Sequence, residues 1–240
     1  MITKDNFKEL LLSIGFEKVS VGNFFTKKYS SCSIHVDFDN DKLIYPEAEG
    51  LVVNDKTTSN FSHNENFVVF ECVCRLLEKG YRPEHIELEP KWQLGRDAKG
   101  GKADIVVKDE KGDVLIIIEC KTAGAEYNKE VKNTEEYGGQ LFSYWQQENA
   151  TRWLALYASD LKNGKILVKS QVISCLDDKN IEAMAKNDRD VLIYRNAKND
   201  SERFEVWCET YNKAWIDNLI FDEERSIQYW YSAIAQTEIT

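Results

Sequence analysis

Apolar residues recur along the chain with two different periods, and the changes from one to the other mark out its elements. From Asp5 to Ile14 they fall at helical spacing, and Gly15 stops the run. Cys32, Ile34, Val36 and Phe38 alternate with Ser33, His35 and Asp37, which predicts a strand. Asp39-Asn40-Asp41 makes a turn, and Leu43-Ile44-Tyr45 returns as a second strand. A helix is predicted from Asn64 to Lys79, stopped by Gly80, with Ser62 and Glu65 at capping-box spacing. Ile86 to Leu94 reads as the first core strand, followed by a loop from Gly95 to Gly101. Lys102 to Lys108 and Asp113 to Lys121 then form a hairpin on a two-residue turn at Lys111-Gly112, with Glu110 facing Asp113. The continuous apolar run around Ile116 to Ile118 implies a strand covered on both faces. A charged loop from Glu126 to Asn133 leads into a helix that carries Gln140. Trp153 to Tyr157 is a buried strand, and Ile166 to Ile173 follows it after Asn163-Gly164. Asp177 to Arg189 is helical, Val191 to Tyr194 and Arg203 to Trp207 are further strands, and residues 212–240 are helical.

This order predicts an α/β chain with a central mixed sheet flanked by helices. Residues 1–60 form a small N-terminal α+β subdomain and residues 61–211 the core. Residues 212–240 are a helical segment leading to a further domain of a longer parent protein. At 240 residues the chain can bury a real core, and 42% apolar with 30% charged residues is an ordinary balance for a soluble protein. No apolar stretch approaches the ~20 residues needed to cross a bilayer. Met1 to Asp5 lacks a basic segment followed by an apolar one, so a cytoplasmic chain without membrane contact is expected. Cysteines 32, 72, 74, 120, 175 and 208 form no Cys-x-x-Cys pair and read as buried free thiols, which argues against zinc. His35, His63 and His85 show no ligand spacing, and Trp145, Trp153, Trp207 and Trp230 read as core.

The candidate chemistry lies on the hairpin. In the predicted register Asp104 faces Glu119, and alternation puts Lys121 on the same face. Two facing carboxylates repel unless a cation sits between them, and hard oxygen ligands of this kind favour Mg²⁺ or Mn²⁺. Read blandly, Glu119 and Lys121 are a surface ion pair. A glutamate ending so apolar a strand, however, is costly to bury without a partner. Cys120 points to the other face and packs. Downstream, Gln140 and Tyr144 are four apart and share a helix face, although Tyr137, Leu141 and Tyr144 also make an apolar stripe. Gly138 and Gly139 permit close approach of a sheet or of a DNA backbone. On the preceding helix, Glu71, Arg75 and Glu78 fall on one polar face, with Glu71 and Arg75 an ordinary i,i+4 pair. Glu65 lies in line with Val69, Cys72 and Leu76 on the inward face, and its capping-box role can coexist with a role in a site. Asp37, Asp39 and Asp41 imitate half a calcium loop. Lys42 and Ala48 stand where that loop needs glycine and glutamate, so a solvated turn is expected.

Asp104, Glu119 and Lys121, after an apolar strand and a Gly100-Gly101 approach, resemble the motif of the PD-(D/E)XK nuclease superfamily, with Ala103 where the family has its proline. Gln140-Leu141-Phe142-Ser143-Tyr144 is similar to the Gln-x-x-x-Tyr motif of the N-terminal endonuclease domain of type I restriction enzyme R (motor) subunits and of related nuclease–methyltransferase fusions. The resemblance covers roughly residues 65–160 and implies a restriction-endonuclease-like core. It also implies Mg²⁺-dependent hydrolysis of DNA phosphodiesters, with Mn²⁺ able to substitute. By the same resemblance Asp104, Glu119 and the Cys120 backbone carbonyl hold the metal, Lys121 orients the attacking water and stabilises developing negative charge, Glu65 is the acidic residue of the preceding helix, and Gln140 and Tyr144 position DNA or support the site. Double-stranded DNA and the other parts of a restriction-modification complex are the implied partners. No Gly-x-x-x-x-Gly-Lys-Ser/Thr loop is present, so ATP use and sequence recognition belong to other domains of the parent protein. Two other readings remain open: a non-catalytic interaction module on the same fold, and a repair or junction-resolving nuclease. The net charge of −10 runs against the usual phosphate-binding surface. A carboxylate-rich metal site and DNA contacts lent by other domains reconcile the two, and Lys91, Arg96, Lys99 and Lys102 supply local positive charge.

Overall fold

The first turn of structure, α1 (Lys4–Ser13), buries Phe7, Leu10 and Leu11, and Gly15 turns the chain out of it at φ +84°. Four short strands follow: β1 (Glu17–Lys18), β2 (Phe24–Lys28), β3 (Ser33–Asp37) and β4 (Lys42–Ile44). They form an antiparallel sheet in sequence order. β3 and β4 match the predicted pair, whereas β1 and β2 were hidden because Glu17-Lys18 and Thr26-Lys27-Lys28 interrupt any apolar alternation. The turn after β3 is a local hydrogen-bonded one. The Asp37 carboxylate accepts from the amides of Asp39 and Asn40 and from the Asn40 side chain. The structure, a computed structural model, describes residues 1–20, 22–90 and 102–186. The end of the predicted strand at 91–94, the Gly95–Gly101 loop, the basic residues Lys91, Arg96 and Lys99, residues 187–189, the strands at 191–194 and 203–207, Trp207, Cys208, Trp230 and the 212–240 segment lie outside the described residues.

The second sheet is the larger. β5 (Val52–Val53) leads to α2 (Asn64–Glu78), then to β6 (Ile86–Leu88), β7 (Ile105–Lys108) and β8 (Val114–Cys120). α3 (Ala125–Tyr137), α4 (Gly139–Gln147), β9 (Trp153–Lys162), β10 (Lys165–Ser174) and α5 (Asp178–Lys186) complete the described chain. The six strands lie in the order β10-β9-β8-β7-β6-β5, with β8–β9 and β5–β6 parallel and the rest antiparallel. The molecule is therefore mixed α/β, with sheets flanked by helices.

Alternation along β8 explains why this sheet is central. Ile116, Ile118 and Cys120 face one core together with Ile105, Val107, Ala155, Tyr157 and the buried side of α2. Ile117 faces the other with Val106, Leu154, Leu156, Leu141, Phe142 and Tyr144. Every residue of β8 is buried, and each fully buried isoleucine contributes roughly 1.5–3 kcal/mol. The α2 core extends into the N-terminal sheet: the Phe7 ring lies 4.5 Å from that of Phe67 and 5.7 Å from that of Phe70. β5, from the stretch before residue 60, adds to the second sheet beside β6.

Three sequence expectations change here. Residues 126–133 are not a loop but the body of α3, where Tyr127, Glu130 and Thr134 are buried and Val131 packs beside them, a stripe half polar and hard to read as amphipathic. Gly138 (φ +77°) ends α3 and Gly139 (φ +53°) begins α4. A Cβ on Gly139 would come within 2.9 Å of Thr134 Oγ1, so the close approach that this glycine permits here is that of α3 on α4 in a tight corner, not that of a sheet. The hairpin turn is also longer than two residues. Asp109 pairs with Asp113, and its carboxylate accepts from the amides of Lys111 and Asp113. Glu110 therefore does not face Asp113. A bulge between Val107 and Lys108 shifts the register back, so that Ile105 still pairs with Ile118.

Candidate functional site

The site forms where β8 leaves the sheet. Continuing the Ile105–Ile118 register by one residue sets Asp104 opposite Glu119, and Asp104 Oδ2 accepts from the Cys120 amide at 2.7 Å. Glu119, 2% exposed, takes two further bonds. Its Oε1 accepts from Lys121 Nζ at 2.5 Å, and its Oε2 lies 3.0 Å from the Tyr144 hydroxyl. That hydroxyl is also 2.8 Å from the Lys102 carbonyl and accepts from Gln140 Nε2 at 3.1 Å. Lys121 Nζ stands 3.5 Å from Glu65 Oε2. The predicted residues Asp104, Glu119, Lys121, Tyr144 and Glu65 thus meet at one end of the sheet, and Gln140, which is exposed, joins them through Tyr144.

Two local details of the sequence reading change. The Ser62–Glu65 capping box is not formed: His63 precedes the first turn of α2, and no side chain caps it. Glu65 turns to Lys121 instead. Nor does Glu71 lie on a solvated face. It is 2% exposed, because α2 is packed on the N-terminal layer and on the sheet at once. Its bond to Arg75 is present, and it also accepts from the Tyr157 hydroxyl at 2.7 Å. The Cys120 side chain packs toward α2 beside Cys72, away from the carboxylates.

Crowded acids show in the electrostatics. Burial raises the Asp104 carboxyl well above the ordinary range, and the charges of Glu119 and Glu65 raise it further against Lys121. Burial likewise pushes Glu119 up to about 7, with Lys121 and the Tyr144 bond opposing the shift. For Lys121 burial alone would favour the neutral amine, but Glu119 and Asp104 outweigh it and hold the ammonium charged. Three carboxylates therefore converge on one ammonium, a charge imbalance that a divalent cation fits. Among the described residues no three His, Cys, Asp or Glu side chains already stand in a ligating arrangement. Asp104 and Glu119, opposite one another, are a pair of hard oxygen donors, which suits an ion that keeps several waters.

Two neighbours, Asp55 and Glu89, were not visible in the sequence. Asp55, from the segment after β5, is ion-paired with Lys102, whose carbonyl faces Tyr144. Glu89, buried at φ +52°, donates its amide to the Asp104 carbonyl, and its carboxylate accepts from Thr57 and Thr58. Both contacts join segments far apart in sequence, and only an unassigned acid between apolar positions hinted at Glu89. A cavity of about 460 Å³ lies away from the site, bounded by Ser13, Lys27, Glu71, Arg75, Glu78 and Ile166 among others.

Comparison with known proteins bears on this geometry. Residues 65–155 match the family model described as type I restriction enzyme R protein N terminus (HSDR_N). The matched span begins at Glu65 and contains Asp104, Glu119, Lys121, Gln140 and Tyr144. No curated protein matches the chain. Among the described residues no helix is long and apolar enough to cross a membrane.

Proposed function

We propose that this chain is a PD-(D/E)XK endonuclease domain of a type I restriction enzyme or a related restriction-modification protein, cleaving DNA phosphodiester bonds with Mg²⁺. The observation that carries this reading is the convergence of Asp104, Glu119, Glu65 and Lys121, with Tyr144 bonded to Glu119, inside the span that matches the restriction-enzyme family. Asp104, Glu119 and the Cys120 carbonyl would hold Mg²⁺, or Mn²⁺ in its place. When bound, the ion supplies Lewis acidity at the scissile phosphate.

The remaining work falls to side chains. Lys121, held charged by Glu119, places its ammonium where negative charge grows on the phosphoryl oxygens. Glu65 shares that ammonium from α2 and limits its swing. Tyr144 fixes the Glu119 carboxylate by its outer oxygen, and Gln140 fixes Tyr144. Gln140 is the exposed end of this chain of bonds and is the group placed to meet DNA. ATP use and target recognition fall to other domains of the parent protein. The net charge of −10 fits a cleavage module whose grip on double-stranded DNA is shared with partners.

The test is nicking of supercoiled plasmid by the purified chain in Mg²⁺ and in Mn²⁺. Wild type should nick, and Lys121→Ala should not, while keeping the wild-type circular dichroism spectrum. No nicking by wild type with either ion would favour a binding module on the same fold, and equal nicking by Lys121→Ala would remove the lysine from the mechanism.

A further inference from the structure

The α2 face of the large sheet carries a buried polar network that the cleavage chemistry does not use. Tyr157, fully buried in β9, donates its hydroxyl proton to Glu71 Oε2 at 2.7 Å. Arg75 Nε donates to the Tyr157 hydroxyl at 3.0 Å and to Glu71 Oε1 at 3.1 Å, and its Nη2 donates to the same carboxylate oxygen at 2.7 Å. Glu71 is 2% exposed, while Arg75 borders the 460 Å³ cavity. Apolar side chains of similar volume often pack such a place as stably, so a buried ion pair is weak evidence for stability, and one attested use of such a pair is to fix a single arrangement of the elements it joins.

The arrangement it fixes is that of the site. Tyr157 pairs with Cys120 in the parallel ladder, and its carbonyl accepts from the Lys121 amide at 2.8 Å. Glu71 lies on the same helix as Glu65, roughly 9 Å further along its axis, and Glu65 reaches Lys121 Nζ. A closed circuit results. Lys121 is tied through its main chain to Tyr157, Tyr157 through its side chain to Glu71 and Arg75, and α2 returns through Glu65 to the Lys121 side chain.

We propose that Glu71, Arg75 and Tyr157 are positioning residues, which clamp α2 to β9 and so hold Lys121 between Glu65 and Glu119. The kinetic part of this inference rests on the nuclease reading; the structural part does not. Tyr157→Phe removes one hydroxyl at constant ring volume, and Arg75→Lys keeps the charge but not the forked bonding. Both are compared in the full chain with Val36→Ala, a core change in the N-terminal sheet that removes no hydrogen bond of the network.

In the metal-free protein, exchange of the Lys121 amide, followed by NMR, should quicken about tenfold in both network variants, while the amides of Ile34 and Val36 keep wild-type rates. In Mg²⁺, kcat for nicking should fall on the order of tenfold with KM for DNA unchanged, the signature of a misplaced group rather than of lost binding. Val36→Ala should lower stability and leave both the Lys121 rate relative to other slow amides and kcat at wild-type values. Lys121 exchange that is unchanged in the network variants, or that changes only in step with global stability, overturns the proposal. So does failure of Tyr157→Phe to fold, which would make the network a folding element. If Arg75→Lys alone fails to fold, Tyr157→Phe decides. If the wild type does not nick, the nuclease reading falls, and the exchange rates alone decide on the clamp.

Discussion

Replacing Glu119 by Gln should change how the stability of the metal-free protein depends on pH. The Glu119 carboxyl is raised from 4.5 to about 7, by burial first, with Lys121 and Tyr144 opposing and Glu65 adding. Between those values the folded protein holds a proton that the unfolded chain has released. A group raised in this way contributes stability that is fully present below the unfolded value and is lost as pH climbs through the folded one. At 1.36 kcal/mol per unit, the loss between pH 4.5 and pH 8 is roughly 3 kcal/mol. Asp104, raised by burial and then by Glu119 and Glu65, works in the same direction. Glutamine carries no proton to lose, so the unfolding free energy of the variant, minus that of wild type, should climb by about 3 kcal/mol over that range. Urea unfolding with a chelator present, repeated at several pH values, measures this difference. Parallel curves would refute the reasoning. A wild type that gains on the variant as pH rises would mean that the bond from Lys121 outweighs burial and holds Glu119 low.

Asp104→Asn relieves one of the facing charges, so its metal-free melting temperature should match or exceed that of wild type. It should lose the rise that excess Mn²⁺ gives the wild type, and an equal rise in both proteins would show that Asp104 is not a ligand. Gln140→Ala and Tyr144→Ala should slow nicking while calorimetry finds Mg²⁺ affinity nearly unchanged; lost metal binding in either would place that residue among the groups that hold the ion. Gly139→Ala forces a side chain to positive φ against Thr134 and Glu130, and urea unfolding should show a cost of about 1–3 kcal/mol.

What could be read from the sequence is what depends on short-range periodicity. The continuous apolar run of β8 declared itself, and the period of two set Asp104 opposite Glu119. The turn was misjudged by one residue and the bulge beyond Val107 restored the count, so the facing pair emerged from a loop that had been drawn wrongly. α2 and β9 were legible from their apolar content, β9 extending to Lys162. α3 was not, because helix propensity in Glu, Lys and Asn carries little signal without a broad apolar stripe. Glu71 shows the same limit. Its i,i+4 partner is local and was seen, but the tyrosine that buries it lies 86 residues away. Glu89 and Asp55 reach the site only through pairing between distant segments. The Gln140–Tyr144 pair was placed on one face by helical spacing, but its attachment to Glu119 depends on how α4 crosses the sheet.

α2 is shared property. One side of it closes the six-stranded sheet and its first turn lies beside Lys121, while Phe67 and Phe70 on another side pack against Phe7 of the first helix. A fragment cut at residue 60 would keep every candidate site residue, yet it would lay bare a phenylalanine-rich helix face and lose the β5 edge strand. Such a fragment should be sticky and poorly folded. Anyone grafting this centre onto another protein must carry the N-terminal sheet with it, and random insertions that separate the two layers should be as damaging as changes at Lys121 itself.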